Sequence, residues 1–154
     1  MSDFMTFEGP TFTMQIPTNW FISSSPRFQA AFVSPEKEEE EEIFPNMLVA
    51  IRRMKEGANA PAVAKSAREK QQETYPDYKV LAEKEHSTDS VSAFERIYRW
   101  HNPDQRSDIQ QWQAFYMHQN ILYTLTATCS VTEKLPAREQ IFEKMLGSFE
   151  LLTE

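Results

Sequence analysis

The sequence predicts an α+β fold, a three-layer α/β/α sandwich around a mostly antiparallel sheet. Three observations lead there. Apolar and polar residues alternate with a period of two in several short segments, the mark of half-buried strands. Only two stretches carry helical spacing, and they lie far apart in the chain. Most of the intervening segments are separated by turn-length connections, so the strands pair as hairpins and the helices pack on the sheet they form.

The elements follow in order. Residues 4–8 and 11–16 flank Gly9-Pro10, a turn signal, and in the second segment Phe12, Met14 and Ile16 alternate with Thr11, Thr13 and Gln15. Pro17 ends that strand, and Trp20 follows in a loop where a large ring can plug the edge of a core. Residues 28–33 make a third strand with Phe28, Ala30 and Phe32 on one face, closed by Pro35. Residues 47–54 (MLVAIRRM) make a fourth, apolar on both faces in its first half, which predicts a central strand covered on both sides.

The first helix is predicted over 57–75. Asn59 caps it and Pro61 sits in its first turn, where a missing N–H costs little. Val63, Ala67 and Gln71 mark its inner face, and Pro76 stops it. Residues 78–86 and 91–101 pair through Ser87-Thr88-Asp89-Ser90, with Phe94, Arg96, Tyr98 and Trp100 on one face of the second strand. The last hairpin turns at Gln119-Asn120, and Asn tolerates the positive φ of a tight turn. Beyond it, Ile121, Tyr123, Leu125, Ala127 and Cys129 share a face against Leu122, Thr124, Thr126 and Thr128. Leu135, Ile141, Phe142, Met145 and Leu146 then form one stripe of a second helix, with Gly147 placed as its C′ residue and Phe149 folding back on the core.

Composition bounds the rest. The chain has 154 residues, 40% of them hydrophobic and 12% aromatic, which suits one well-cored domain spanning residues 1–154. Its single cysteine excludes an internal disulfide and fits a reducing compartment. The opening MSDFMTFEG carries neither a basic nor an apolar leader segment, and no apolar run is long enough to span a bilayer, so the expectation is a cytoplasmic protein without stable membrane insertion. The net charge is −7, and residues 36–42 (EKEEEEE), with six Glu and one Lys, hold most of it. That balance argues against nucleic acid as a partner. The run itself reads as a solvated loop, with an acidic docking patch as the functional alternative.

Candidate chemistry is sparse. His86, His101 and His118 have no metal-ligand spacing, so no metal or other cofactor is expected. Cys129 alternates onto a buried face and has no basic neighbour in sequence to activate it. No nucleophile elbow or phosphate-cradling glycine loop exists, which disfavours an enzyme. Arg52-Arg53 and Arg96/Arg99 read as exposed partners for Glu and only weakly as an anion site. The aromatic stripe Phe94, Tyr98 and Trp100, with Trp112 and Tyr116 on a neighbouring strand, is either a helix-facing core or a concave surface for a protein partner.

Five segments carry a resemblance: FTMQIPTNW (12–20), FQAAFVSP (28–35), PNMLVAIRRM (45–54), the strand ILYTLTATCS and the terminal FEKMLGSFEL. In this order they resemble the DcrB-like family, which has the Mog1/PsbP-like fold. The resemblance implies a non-enzymatic sandwich. Its branches include periplasmic lipoproteins, lumenal photosystem-associated proteins, a nuclear transport factor and cytoplasmic Eag-type chaperones of type VI secretion effectors. The chain lacks a lipobox cysteine near its start, which favours the last branch. On that resemblance the protein is a homodimeric chaperone or adaptor that cradles apolar segments of a secreted effector. By position, Phe28, Ala30 and Phe32 with Met47, Val49 and Ile51 are the counterparts of the cradle, and Tyr98 and Trp100 extend the partner surface. The alternatives are a small-molecule or anion-binding module using Arg96, Arg99 and the aromatic stripe, or an accessory protein of a membrane complex.

Overall fold

The computed structural model describes residues 3–26 and 28–152. Ten strands and two helices occur in the order β1 (Phe4–Glu8), β2 (Phe12–Pro17), β3 (Phe21–Ser25), β4 (Phe28–Val33), β5 (Asn46–Arg53), α1 (Ala60–Thr74), β6 (Lys79–Glu85), β7 (Ser92–Trp100), β8 (Ile109–His118), β9 (Ile121–Ser130), α2 (Leu135–Gly147) and β10 (Glu150–Leu151). The α+β class is as expected, with two helices packed against antiparallel sheets. The described residues form two sheets: one of seven strands in the order β3-β4-β5-β9-β8-β7-β6, and one of three in the order β1-β2-β10.

The large sheet is two meanders joined side by side. Strands β3 to β5 form the first, and α1 then carries the chain across one face to β6 at the far edge. Strands β6 to β9 return by hairpins until β9 pairs with β5, so every neighbour is antiparallel. One face of this sheet carries α1. The other carries a mixed layer of α2 and the small sheet, and the main core lies between, built on Phe12, Met14, Ile16, Phe32, Leu125 and Phe142. Phe149 does fold back, its ring 5.4 Å from that of Phe12 and 4.7 Å from that of Tyr116.

Local chemistry explains most boundaries. Asn59 accepts from the Ala62 N–H at 2.9 Å and caps α1, which buries Ala60 and Ala64 fully. Gln119 and Asn120 both take positive φ, 50° and 65°, and close the β8–β9 hairpin. Trp20 is buried against the Phe142 ring, as a plug at the sheet edge should be.

Other expectations are corrected. Gly147 is the last residue of α2 rather than a left-handed C′ cap, and Ser148 caps the helix in the right-handed region at φ −91°. Strand β3 (FISSS) went unread because it is an exposed edge with no apolar alternation. The acidic run is not a plain solvated loop. Glu41 is fully buried and held bidentately by Arg138, Nη2 to Oε1 at 2.5 Å and Nε to Oε2 at 3.0 Å. The Glu42 N–H donates to Ser130 Oγ, and its carboxylate accepts from the Ser107 N–H, so the loop is anchored at two successive residues.

Candidate functional site

Cross-strand registry decides which side chains share a face, because opposed residues point the same way. On the α1 side of the large sheet one row runs Ser23, Ala31, Leu48, Thr126, Gln113, Arg96. The next runs Phe21, Val33, Asn46, Thr128, Gln111, Tyr98. Helix α1 covers only one end of these rows. It sits on Phe115, Met117 and Leu122 and over the Arg96–Tyr98 stretch, and beyond it Phe21 of β3 and Leu48 of β5 are exposed on this side.

Strand β5 therefore departs from expectation. Its MLVAI segment was predicted to be covered on both faces. Met47 and Val49 are fully buried in the main core, but Leu48, on the other face, is 36% exposed. An apolar strand covered on one side and open on the other presents apolar surface to an absent neighbour. Phe21, 66% exposed, lies at the far edge of the same face.

The polar groups of this surface are already paired with one another. Trp100 Nε1–H donates to Gln111 Oε1 at 3.2 Å, and Gln111 Nε2 donates to Thr128 Oγ1 at 2.9 Å. One row along, Gln113 accepts from Gln71 Nε2 at 2.9 Å and donates to Thr126 Oγ1 at 3.0 Å. Neither threonine hydroxyl has an acceptor of its own among the described residues, so each keeps an O–H to offer. The surface is a shallow apolar floor at the exposed Leu48 and the half-buried Ala50, beside two polar ladders that end on the threonine hydroxyls. Covering such a surface leaves the paired indole N–H and amide carbonyls satisfied, and an apolar segment has to offer acceptors only to the two threonine hydroxyls, which lowers the cost of docking it.

The expected partner-binding residues are distributed differently. Ala30, Phe32, Met47 and Val49 are buried beneath α2 and the small sheet, and Ile51 is half-buried against that core. They cannot cradle a partner while that layer is in place. The layer supplied by β1, β2, β10 and α2 occupies the face assigned to the partner. The Phe28 side chain lies outside the described residues. Tyr98 is 1% exposed and lies under α1, with Gln71 Nε2 3.3 Å from its hydroxyl. Trp100 sits half-buried at the margin of the open face, its ring stacked on Tyr75 at 4.2 Å. The aromatic stripe is thus split. Trp112 and Tyr116 oppose Ile97 and Ala93 and face the main core, whereas Phe94, Tyr98 and Trp100 face α1.

Arg96 and Arg99 also point to opposite faces and make no joint anion site. Arg96 is 2% exposed, donating to Ala64 O at 2.7 Å and to Glu83 Oε2 at 2.8 Å, and so ties α1 to the sheet. Arg99 donates twice to Gln110 Oε1. Replacing Arg96 with Ala strips α1 of this tie and should cost about 2–3 kcal/mol, read as a lowered denaturant midpoint.

The remaining titratable candidates are committed elsewhere. His101 Nδ1 lies 2.9 Å from Asp108 Oδ1, His118 Nδ1 is 2.9 Å from Ser90 O, and His86 Nε2 is 3.2 Å from Glu95 Oε2. Among the described residues no cluster of His, Cys, Asp and Glu could hold a metal ion. Cys129 is fully buried, and burial together with the neighbouring Glu41 charge pushes its thiol up to about 12, so it is neutral at physiological pH. A separate cleft of about 350 Å³ lies between α2 and the β6–β7 edge, floored by Ile97, Trp112 and Leu146. Among the described residues no helix is long and apolar enough to cross a membrane.

Several solved structures share this architecture. The solution structure of cyanobacterial PsbP (CyanoP) from Synechocystis sp. PCC 6803 superimposes with a TM-score of 0.67 at 14% identity, covering 98% of this chain and 94% of that one. The Ran-binding protein Mog1p of Saccharomyces cerevisiae gives 0.68 at 11% identity, covering 99% and 97%. LpqN of Mycobacterium tuberculosis, involved in cell envelope biogenesis, gives 0.64 at 9% identity, covering 98% and 91%. At these identities the likeness is one of fold, and it agrees with the Mog1/PsbP-like expectation. No curated protein matches the chain in sequence. Residues 2–151 match the PsbP-like protein family, and on that match the chain belongs to it.

Proposed function

We propose that the protein is a non-enzymatic protein-binding module whose open sheet face, centred on Leu48, Thr126 and Thr128, receives an apolar segment of a partner. The observation that carries this reading is the half-covered strand β5, apolar on both faces with only one of them buried. The Trp100–Gln111–Thr128 and Gln71–Gln113–Thr126 ladders support it, because they already pair the indole and the glutamine side chains and leave the threonine hydroxyls to meet a docked segment. The free threonine hydroxyls can donate to carbonyls of that segment. The Ran-binding relative of the same fold fits a role in holding another protein.

In its most specific form the reading is a cytoplasmic, homodimeric chaperone or adaptor that shields apolar segments of a secretion effector, as the DcrB-like and Eag-type resemblance implies. No cofactor enters this role. The test is recovery of partners from the native host with the wild-type chain and with Leu48→Glu. The wild type should retain a protein that the variant loses by about tenfold or more, since a carboxylate on the apolar floor must be desolvated on docking. Equal recovery by both, or no protein recovered by either, would count against the open face.

A further inference from the structure

Adjoining the protein-docking face, we infer a binding groove for a single-chain carboxylate amphiphile along the flank of α1. The groove encloses about 460 Å³, within the range of small-ligand sites. Its apolar lining comes from Met54 after β5, Val63 and Ala67 on α1, and Phe115 and Leu122 on the sheet. Phe115 and Leu122 are 2% and 3% exposed, so the floor is firm core rather than loose surface. Along α1 the wall runs from Ala62 to Lys70, about 12 Å at 1.5 Å per residue. That length suits a linear chain of about ten carbons lying along the helix.

Charge selects the head group. Arg52 and Lys70 line the groove, and no carboxylate is among its lining residues, although the chain as a whole carries −7. Neither cation has an ion-pair partner or a side-chain hydrogen bond among the described residues. Arg68 and Arg96, by contrast, are taken up by Glu83 and Ala64 O and are not among the lining residues. Arg52 had been expected to pair with Glu, and it does not. Two unpaired cations above an apolar trough in an acidic protein attract an anion whose body is apolar. The guanidinium of Arg52 can take a carboxylate bidentately, with Lys70 as a second point charge.

Isothermal titration of the full chain with decanoate, below its micelle concentration, tests this against decyltrimethylammonium and decanol. The inference predicts saturable one-to-one binding of decanoate, with the cationic amphiphile and the alcohol each weaker by about tenfold, the scale of two partly exposed charge contacts. The double variant Arg52→Glu/Lys70→Glu should lose decanoate affinity by about tenfold or more with its thermal midpoint unchanged, because both side chains are exposed and unpaired. Equal binding of the anionic and cationic amphiphiles, or undiminished decanoate binding by the variant, would overturn it. The outcome is independent of Leu48→Glu, which alters the docking face and leaves both cations in place.

Discussion

Replacing Arg138 with Ala should cost about 3–5 kcal/mol of folding stability at neutral pH, among the largest effects of any single change on the polar side of this protein. Glu41 is fully buried, and burial alone would raise its carboxyl. The Arg138 hydrogen bonds and charge, with the Glu38 N–H, outweigh that and hold it below the usual carboxylate range. Removing the guanidinium strands a buried carboxylate. The pH dependence follows from the sign of that shift. A depressed carboxyl contributes stability that is present above its unfolded value near 4.5 and is lost as pH falls through the folded value. The wild type should therefore lose stability in acid. The variant, whose Glu41 is easier to protonate, should differ from it most at pH 7 and progressively less as pH falls through the wild type's folded value. Urea midpoints at pH 7 and across the acid range check this, and a gap that does not narrow in acid would refute the assignment.

The second large effect is predicted for Phe142→Ala, at about 3–5 kcal/mol. Phe142 is fully buried at the centre of the α2 layer, its ring edge-on to Trp20 at 6.2 Å and 5.1 Å from Trp112. The two rings flanking it are rigid indoles, which cannot collapse into the void. Denaturant unfolding followed by tryptophan fluorescence would show a lowered midpoint with an unchanged slope. The same substitution separates the two faces of the sheet. It loosens the layer over Met47 and Val49 while leaving Leu48, Thr126 and Thr128 on the other side, so folded variant protein should still bind through the open face.

Much of this was legible in the residues and some was not, for identifiable reasons. Alternation in FTMQIP and in the Thr-rich β9, the Asn59 cap and the Gln119-Asn120 turn all act locally, and they fold as read. The position of the site depended on which pleat of β4 and β5 is covered. Period-two patterning shows that two faces exist but not which layer lands on each, and Leu48 and Ala50 look as apolar as the buried Met47 and Val49. The available signal was the unbroken MLVAI run itself, which marks a strand with two apolar environments and does not distinguish a core from a docking surface. The separation of Trp112 from Trp100 is a matter of registry across a hairpin, which no single strand encodes. The burial of Glu41 was hidden because one carboxylate among six faces Arg138, nearly a hundred residues away.

The central claim is that an apolar segment docks on the α1-side open face. Amide chemical-shift mapping of the labelled protein with a soluble model peptide carrying a Leu/Ala/Ser apolar helix tests it most directly. The account predicts saturable shifts clustered at Leu48, Thr126, Thr128 and Gln111, abolished by Leu48→Glu. Shifts confined to the cleft between α2 and the β6–β7 edge, or a set unchanged by Leu48→Glu, would contradict it.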